Sequence, residues 1–247
     1  MRSFSHRSDE TELMDEDNIS FEEFHDCLIG LERINHLTLA YRPTLQWLQP
    51  FLTGNERLTL LDAATGGGDM LRQIANKWPA RVAAGQLQLL GVDLNPWAKK
   101  SAEYWPPYST PVAANVPSVI TYETANIFEF APEQPIDILI SSLFTHHLTN
   151  TQIVDFLRWM DSRARKGWFI NDLHRHVIPY YFIKSATAIF SRNRLIRNDA
   201  AVSVARSFTV ADWHELINNA GLKSRVRIQW FFPFRLCLSC DKTIAVP

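Results

Sequence analysis

Apolar residues change their spacing along this chain, and each change marks an element. Phe21, Phe24, Leu28, Leu31 and Ile34 recur at the interval of one helix face. Ser20 and Glu23 form a capping-box pair, and Ile19 with Phe24 a hydrophobic staple, so this helix is predicted to begin at Ser20. A second, short helix is predicted from about Pro43 to Leu52. At Leu58 the pattern becomes a short apolar run ending in Asp62, then a turn of Gly66, Gly67 and Gly68. Met70, Leu71, Ile74, Ala75 and Trp78 follow at helical spacing, with Pro79 as the stop. That is a strand, a tight loop and a helix. Leu87 to Asp93 predicts the next strand, and Asn95-Pro96 the N-cap and first position of a helix to about Tyr104. Pro106, Pro107, Pro111 and Pro117 predict an extended loop.

Val119 to Thr124, Ile136 to Ser142 and Gly167 to Leu173 predict three further strands, with a helix from Thr149 or Asn150 to Arg165 between the last two. The near-continuous apolar run at Ile136 is what a parallel strand buried on both faces requires. Only about ten residues separate the strands at Val119 and Ile136, short for a helical crossover. From Val177 to Ser207 the alternation gives way to a helical insertion, aromatic first (Tyr180, Tyr181, Phe182, Phe190), then basic (Arg192, Arg194, Arg197, Arg206). It reads as a substrate lid or as a surface helix leaning on lipid. The lid is preferred, because insertions on open α/β sheets gather over the strand ends where ligands sit. Thr209 with Asp212 opens the next helix, Gly221 closes it, and Lys223 to Lys242 reads as two strands about Pro233. The fold class is therefore α/β, a Rossmann-like doubly wound, mainly parallel sheet with a C-terminal antiparallel hairpin. A helical cap over 19–55 and a helical insertion over 174–208 belong to a single domain, 19–247. No internal repeat competes with this reading.

The glycine turn invites a polar ligand, since Gly66 to Gly68 allow close backbone approach and the helix behind them presents free amides. A dinucleotide fingerprint would place a third glycine where Leu71 stands. A phosphate-cradling loop would place a lysine near Asp69-Met70, where a carboxylate would repel pyrophosphate. Asp93 ends the next strand, and its carboxylate can accept hydrogen bonds from the two vicinal hydroxyls of a ribose. Asp62-x-x-x-Gly66-x-Gly68 followed by Gly-Val-Asp93-Leu-Asn resembles motifs I and II of the class I S-adenosylmethionine-dependent methyltransferases, over about Leu58 to Lys242. The resemblance implies a seven-stranded sheet and S-adenosylmethionine as cofactor, with Asp62, Ala63, Gly66 and Gly68 around the methionine part. It implies Asp93 and Leu94 at the ribose, Asn126 and Ile127 at the adenine, and Ser141, Ser142 and Leu143 along the methionyl side. Ala64 stands where the family more often has its first glycine, and its small side chain still fits.

Composition narrows the rest. With 247 residues, 46% hydrophobic and 21% charged, the chain can bury a sizeable core, and a net charge of −1 gives no footprint for a nucleic-acid backbone. A small-molecule acceptor is expected. Met1 to Asn18 carries six acids against two arginines and reads as a disordered acidic tail. Neither a membrane span nor a secretory signal is present, which predicts a cytoplasmic protein. Cys237 and Cys240 form an isolated CxxC whose members face opposite ways in a strand, so no metal site is expected there. His25, Arg33 and His36, on the flanks of the first helix, are expected to be solvated.

Polar residues concentrate where the strands at Ile136 and Gly167 end. His146 and His147 follow the first, and Asp172, His174, Arg175 and His176 close the second. Adjacent strands bring such residues to one mouth. A phenol, with a pKa near about 10, attacks a methyl group far better once its proton is leaving, and imidazole with an orienting Asp172 is suited to take it. His146 or His147 stands first as the base, then His174. The resemblance implies methyl transfer to an aromatic, quinone-like or polyketide-derived hydroxyl. A nicotinamide-dependent oxidoreductase and a catalytically silent cofactor-binding partner protein remain as alternatives. Leu71 and the hairpin disfavour the first, and the histidine-rich strand ends the second.

Overall fold

The structure is a computed structural model and describes residues 4–16, 19–104 and 120–244. The extended loop predicted through Pro106 to Pro117 lies outside the described residues. A seven-stranded sheet contains β1 (Leu58–Ala63), β2 (Leu87–Asp93) and, at its middle, β4 (Ile138–Ser142). The remaining strands are β3 (Ile120–Thr124), β5 (Gly167–Leu173), β6 (Arg227–Phe231) and β7 (Arg235–Asp241), and the order is β3-β2-β1-β4-β5-β7-β6. β1 to β5 pair in parallel, while β7 slots antiparallel between β5 and β6. The chain runs outward from β1 through β2 to β3, then returns to build β4 and β5 on the other side. The carboxyl ends of β1 and β4 thus flank the point where strand order reverses, the place where open α/β sheets bind ligands.

Both faces of the sheet are covered. On one, α6 (Asn150–Arg163) and α9 (Val210–Ala220) bury Phe156, Trp168, Phe208 and Trp213. On the other, α2 (Arg42–Leu48) and α3 (Asp69–Lys77) bury Leu48, Leu71, Ile74 and Phe169. Cys240 belongs to the first layer and Cys237 to the second, both as free thiols. α1 (Phe21–Leu37) starts at the Ser20/Glu23 capping box and packs through Phe24 and Cys27 on Ala98 of α5 (Pro96–Tyr104) and on Leu195 and Ile196. Arg33 and His36 are exposed, but His25 is buried, with Nδ1 2.7 Å from Ser101 Oγ and its ring stacked on Phe21. Pro79 both stops α3 and opens a further short helix, α4 (Pro79–Ala83). The insertion is two helices, α7 (Val177–Phe190) and α8 (Arg194–Arg206), broken at Asn193, whose Oδ1 accepts from the Leu195 and Ile196 amides. No helix among the described residues is long and apolar enough to cross a membrane.

The described residues 4–16 correct the expected tail: they form a strap docked on α8 and on the β4–α6 turn. Arg7 donates to the carbonyls of Arg206, His146 and Leu148 and to Asn150 Oδ1. The Leu13 and Met14 amides both donate to the Asp199 carboxylate, and Glu12 is buried. Acid-rich composition predicts disorder only where no tertiary partner takes up the charge, and here α8 and two histidines do.

Candidate active site

A cavity of about 1050 Å³ opens at the carboxyl ends of β1, β2, β4 and β5, roofed by α1, the strap and the insertion. At its β1–β2 end the chain turns through Ala64 (φ 59°), Gly66 (φ 52°) and Gly68 (φ 74°). The Gly66 amide donates to Asp93 Oδ2 at 2.8 Å and the Asn95 amide to Asp93 Oδ1 at 2.9 Å, tying the turn to the end of β2. Each oxygen keeps lone-pair capacity toward the cavity wall, which Asp93 lines. Burial raises the Asp93 carboxyl above its ordinary value against these amide bonds. Asp62 sits behind the turn, with Oδ2 accepting from Thr65 Oγ1 at 3.1 Å and Oδ1 unpartnered. Burial, then the nearby Asp69, lifts Asp62 well above the usual carboxylate range. A buried polar atom without a partner is costly, and a ligand donor beside it would relieve that.

The cap closes over this turn. Asp69 Oδ2 accepts from Asn35 Nδ2 at 3.0 Å and from the Tyr41 hydroxyl at 2.7 Å, joining α1 to the start of α3. Arg72 pairs with Glu32 at 2.9 Å and donates to the Gly67 carbonyl. Arg235, at the start of β7, lines the cavity 4% exposed, with Nη2 3.4 Å from Asn35 Oδ1 and Nη1 unpartnered. Burial lowers the Arg235 pKa.

The β4–α6 turn carries the other polar end. His146 is 2% exposed; its Nδ1 lies 2.8 Å from Asp172 Oδ1 and its Nε2 3.5 Å from Glu12 Oε1. Asp172 is fully buried and also accepts from the Thr145 hydroxyl at 2.5 Å and from the amides of His146 and Leu173. Burial works against charge on both partners, yet their mutual attraction wins. Asp172, then Glu12, hold the His146 ring up at about 9, and His146 with these donors brings Asp172 down to about 2. His147 places Nδ1 3.0 Å from Asp15 Oδ2 and Nε2 3.8 Å from Glu12 Oε2. Burial opposes charge on Glu12 too, but His146, His147 and Ser203 set it below its ordinary value.

Ala64, Gly66, Asp93, Leu94, Asn126, Ile127, Ser142, Leu143, His146 and His147 all line this one cavity. Five of the predicted site residues stand outside the lining. Asp62 lies behind the turn, and Ala63 is enclosed in β1, where its carbonyl accepts from the buried Ser141 hydroxyl at 2.9 Å. Gly68 packs so tightly that a Cβ would come within 2.3 Å of the Tyr122 hydroxyl oxygen. His174 is half-buried and stacks on His176; burial, then His176 and Arg175, lower its pKa. Asn126 already spends its amide, with Oδ1 accepting from the Phe128 amide and Nδ2 donating to Glu129. Sequence reasoning missed Glu12, Asp15, Asn35, Asp69, Arg72, Asp199 and Arg235. One signal was present: the apolar pair Leu13-Met14 inside an acid run.

The sheet order with its inserted antiparallel β7 is the class I methyltransferase form of the Rossmann-like fold. Solved structures agree with this. The chain is similar to magnesium protoporphyrin IX methyltransferase (ChlM) from Synechocystis with bound SAH, at 16% identity over 85% of this chain and 84% of that one, TM-score 0.55. It is similar to the plantazolicin methyltransferase BpumL in complex with SAH, at 15% identity over 92% and 91%, TM-score 0.61. It also resembles human N-acetylserotonin methyltransferase in complex with SAM, at 12% identity over 90% of this chain and 56% of that one, TM-score 0.58. Comparison by sequence finds no matching family model and no matching curated protein.

Proposed function

We propose that this chain transfers the methyl group of S-adenosylmethionine to a small acceptor, on a hydroxyl oxygen of an aromatic, quinone-like or polyketide-derived molecule. One observation carries the reading: the glycine turn with Asp93 and the histidine corner with Glu12 line a single cavity. The residues fit the cofactor. Asp93 offers acceptor lone pairs for ribose hydroxyls, and Asp62 Oδ1 and Ser142 Oγ are buried polar atoms without a partner at the turn and on the wall. The apolar wall, including Leu28, Leu31, Phe144, Phe182 and Ile183, suits a planar acceptor.

When bound, the cofactor supplies a sulfonium methyl group; the bond from carbon to the acceptor oxygen forms as the sulfur–carbon bond breaks, and the acceptor's proton is lost. The chain's work is then to hold the acceptor in line, exclude water and let that proton leave. The polar corner of Glu12, His146 and His147 lies in the same wall, where an acceptor hydroxyl can be held. Arg235 adds a buried guanidinium nitrogen without a hydrogen-bond partner in the same wall, which favours an acceptor or cofactor bearing a carboxylate or an ionised enol.

Incubation with methyl-labelled S-adenosylmethionine and a panel of phenols, amines and proteins tests this. Label should pass to a small hydroxylated aromatic; label found only on protein would overturn the acceptor assignment.

A further inference from the structure

We infer that Glu12, His146 and His147 form a binding site for a divalent first-row metal ion, of the zinc or cobalt type, in the wall of the cavity. The three donor atoms all lie within 4.8 Å of one another. His146 Nε2 is 3.5 Å from Glu12 Oε1, and His147 Nε2 3.8 Å from Glu12 Oε2. These separations are too long for charge-assisted hydrogen bonds, which run at about 2.7–2.9 Å. They approach the edge of a tetrahedron instead: donors at about 2.0–2.1 Å from a zinc ion stand about 3.3–3.4 Å apart. Each imidazole thus stands from Glu12 at about the spacing that a shared ion would set.

What lies behind each donor supports the same conclusion. A ligating imidazole is held by a carboxylate on its other nitrogen, which fixes the tautomer and aims the free lone pair. Both rings have that arrangement, His146 Nδ1 on Asp172 at 2.8 Å and His147 Nδ1 on Asp15 at 3.0 Å. Glu12 is itself held, by Ser203 Oγ at 2.9 Å. Three carboxylates, Glu12, Asp15 and Asp172, converge on two imidazoles. Of the arginines nearby, Arg7 is spent largely on main-chain carbonyls, and Arg206 reaches Asp15 only at 4.0 Å.

Two imidazoles and one carboxylate leave a tetrahedral ion one open position, and all three residues line the cavity. The ion site stands on this geometry alone; its use rests on the methyl-transfer reading. There an acceptor hydroxyl at the open position would lose its proton to solvent more readily, leaving an oxygen anion to take the methyl group.

The test uses untagged full-length protein stripped with chelator and titrated with zinc chloride by calorimetry, then with cobalt chloride followed by visible absorption. One equivalent should bind, and cobalt should show the intense absorption of a four-coordinate site. Glu12→Gln and His147→Ala, both at partly accessible or strap positions, should weaken zinc binding at least about a hundredfold, and Asp15→Asn by about tenfold. Circular dichroism of all three should match that of the wild type, which reports that each has folded. No zinc binding, or binding equal in wild type and the Glu12 and His147 variants, overturns the metal site while leaving methyl transfer standing if S-adenosylhomocysteine still binds. Zinc binding without S-adenosylhomocysteine binding upholds the metal site and sinks the methyl-transfer reading.

Discussion

Asp172 holds more of this site than any other single residue. Its two oxygens accept from the Thr145 hydroxyl, the His146 ring and two backbone amides, all without solvent. Asp172→Asn would turn an amide NH2 toward donors and leave the His146 ring without its counter-charge. Breaking a buried pair this way costs about 3–5 kcal/mol, so urea unfolding should show a loss of that size. A loss below about 1 kcal/mol would mean the pair is not formed. Gly68 makes a second residue-scale prediction. Gly68→Ala forces a side chain into left-handed backbone and onto the buried Tyr122 ring, and should destabilise by about 2–4 kcal/mol, read as a drop in the urea midpoint. At this scale legibility was uneven. Asp93, Asn126 and the histidine pair follow recognisable patterns at strand ends. Asn35, Asp69 and Arg235 do not, because what makes them notable is their meeting across 34 residues of chain for Asn35 and Asp69 and 200 for Asn35 and Arg235, and no local spacing encodes that.

Among the elements, the strap is where composition and structure part. Two of its acids meet partners: Glu12 lies beside His146 and Asp15 beside His147 and Arg206, while Asp199 accepts from two strap amides. Arg7→Ala removes its donors to three carbonyls and to Asn150. Hydrogen exchange at Leu13 and Met14 should then quicken by at least about tenfold while β1 and β4 amides keep their protection, since the strap opens as a local unit. Equal protection in both proteins would show that the strap is held without Arg7. The strands, by contrast, were legible to within about two residues, as at Ile138–Ser142, because burial on both faces imposes a near-continuous apolar run. The break between α7 and α8 was hidden: the apolar and basic spacing continues across it, and only Asn193 marks it.

At the scale of the whole molecule, the reversal of strand order between β1 and β4 places the glycine turn, Asp93 and the β4–α6 turn around one cavity. The mainly parallel sheet with its terminal hairpin was legible because each apolar run could be assigned to a buried parallel strand or to that hairpin. How the cap, strap and insertion meet over the cavity was not, since those contacts join distant surfaces. If the cavity holds the nucleoside end of the cofactor at Asp93, ligand at about 100 times its dissociation constant should stabilise the fold by about 2.7 kcal/mol, seen as a higher melting temperature. The most direct measurement is calorimetric titration of S-adenosylhomocysteine into wild-type protein and into Asp93→Ala, with NAD as the control ligand and circular dichroism to confirm folding. The account predicts one site with a dissociation constant in about the micromolar range, at least about tenfold weaker binding to Asp93→Ala, and no heat from NAD. Tighter binding of NAD than of S-adenosylhomocysteine, or equal binding to the two proteins, would contradict it.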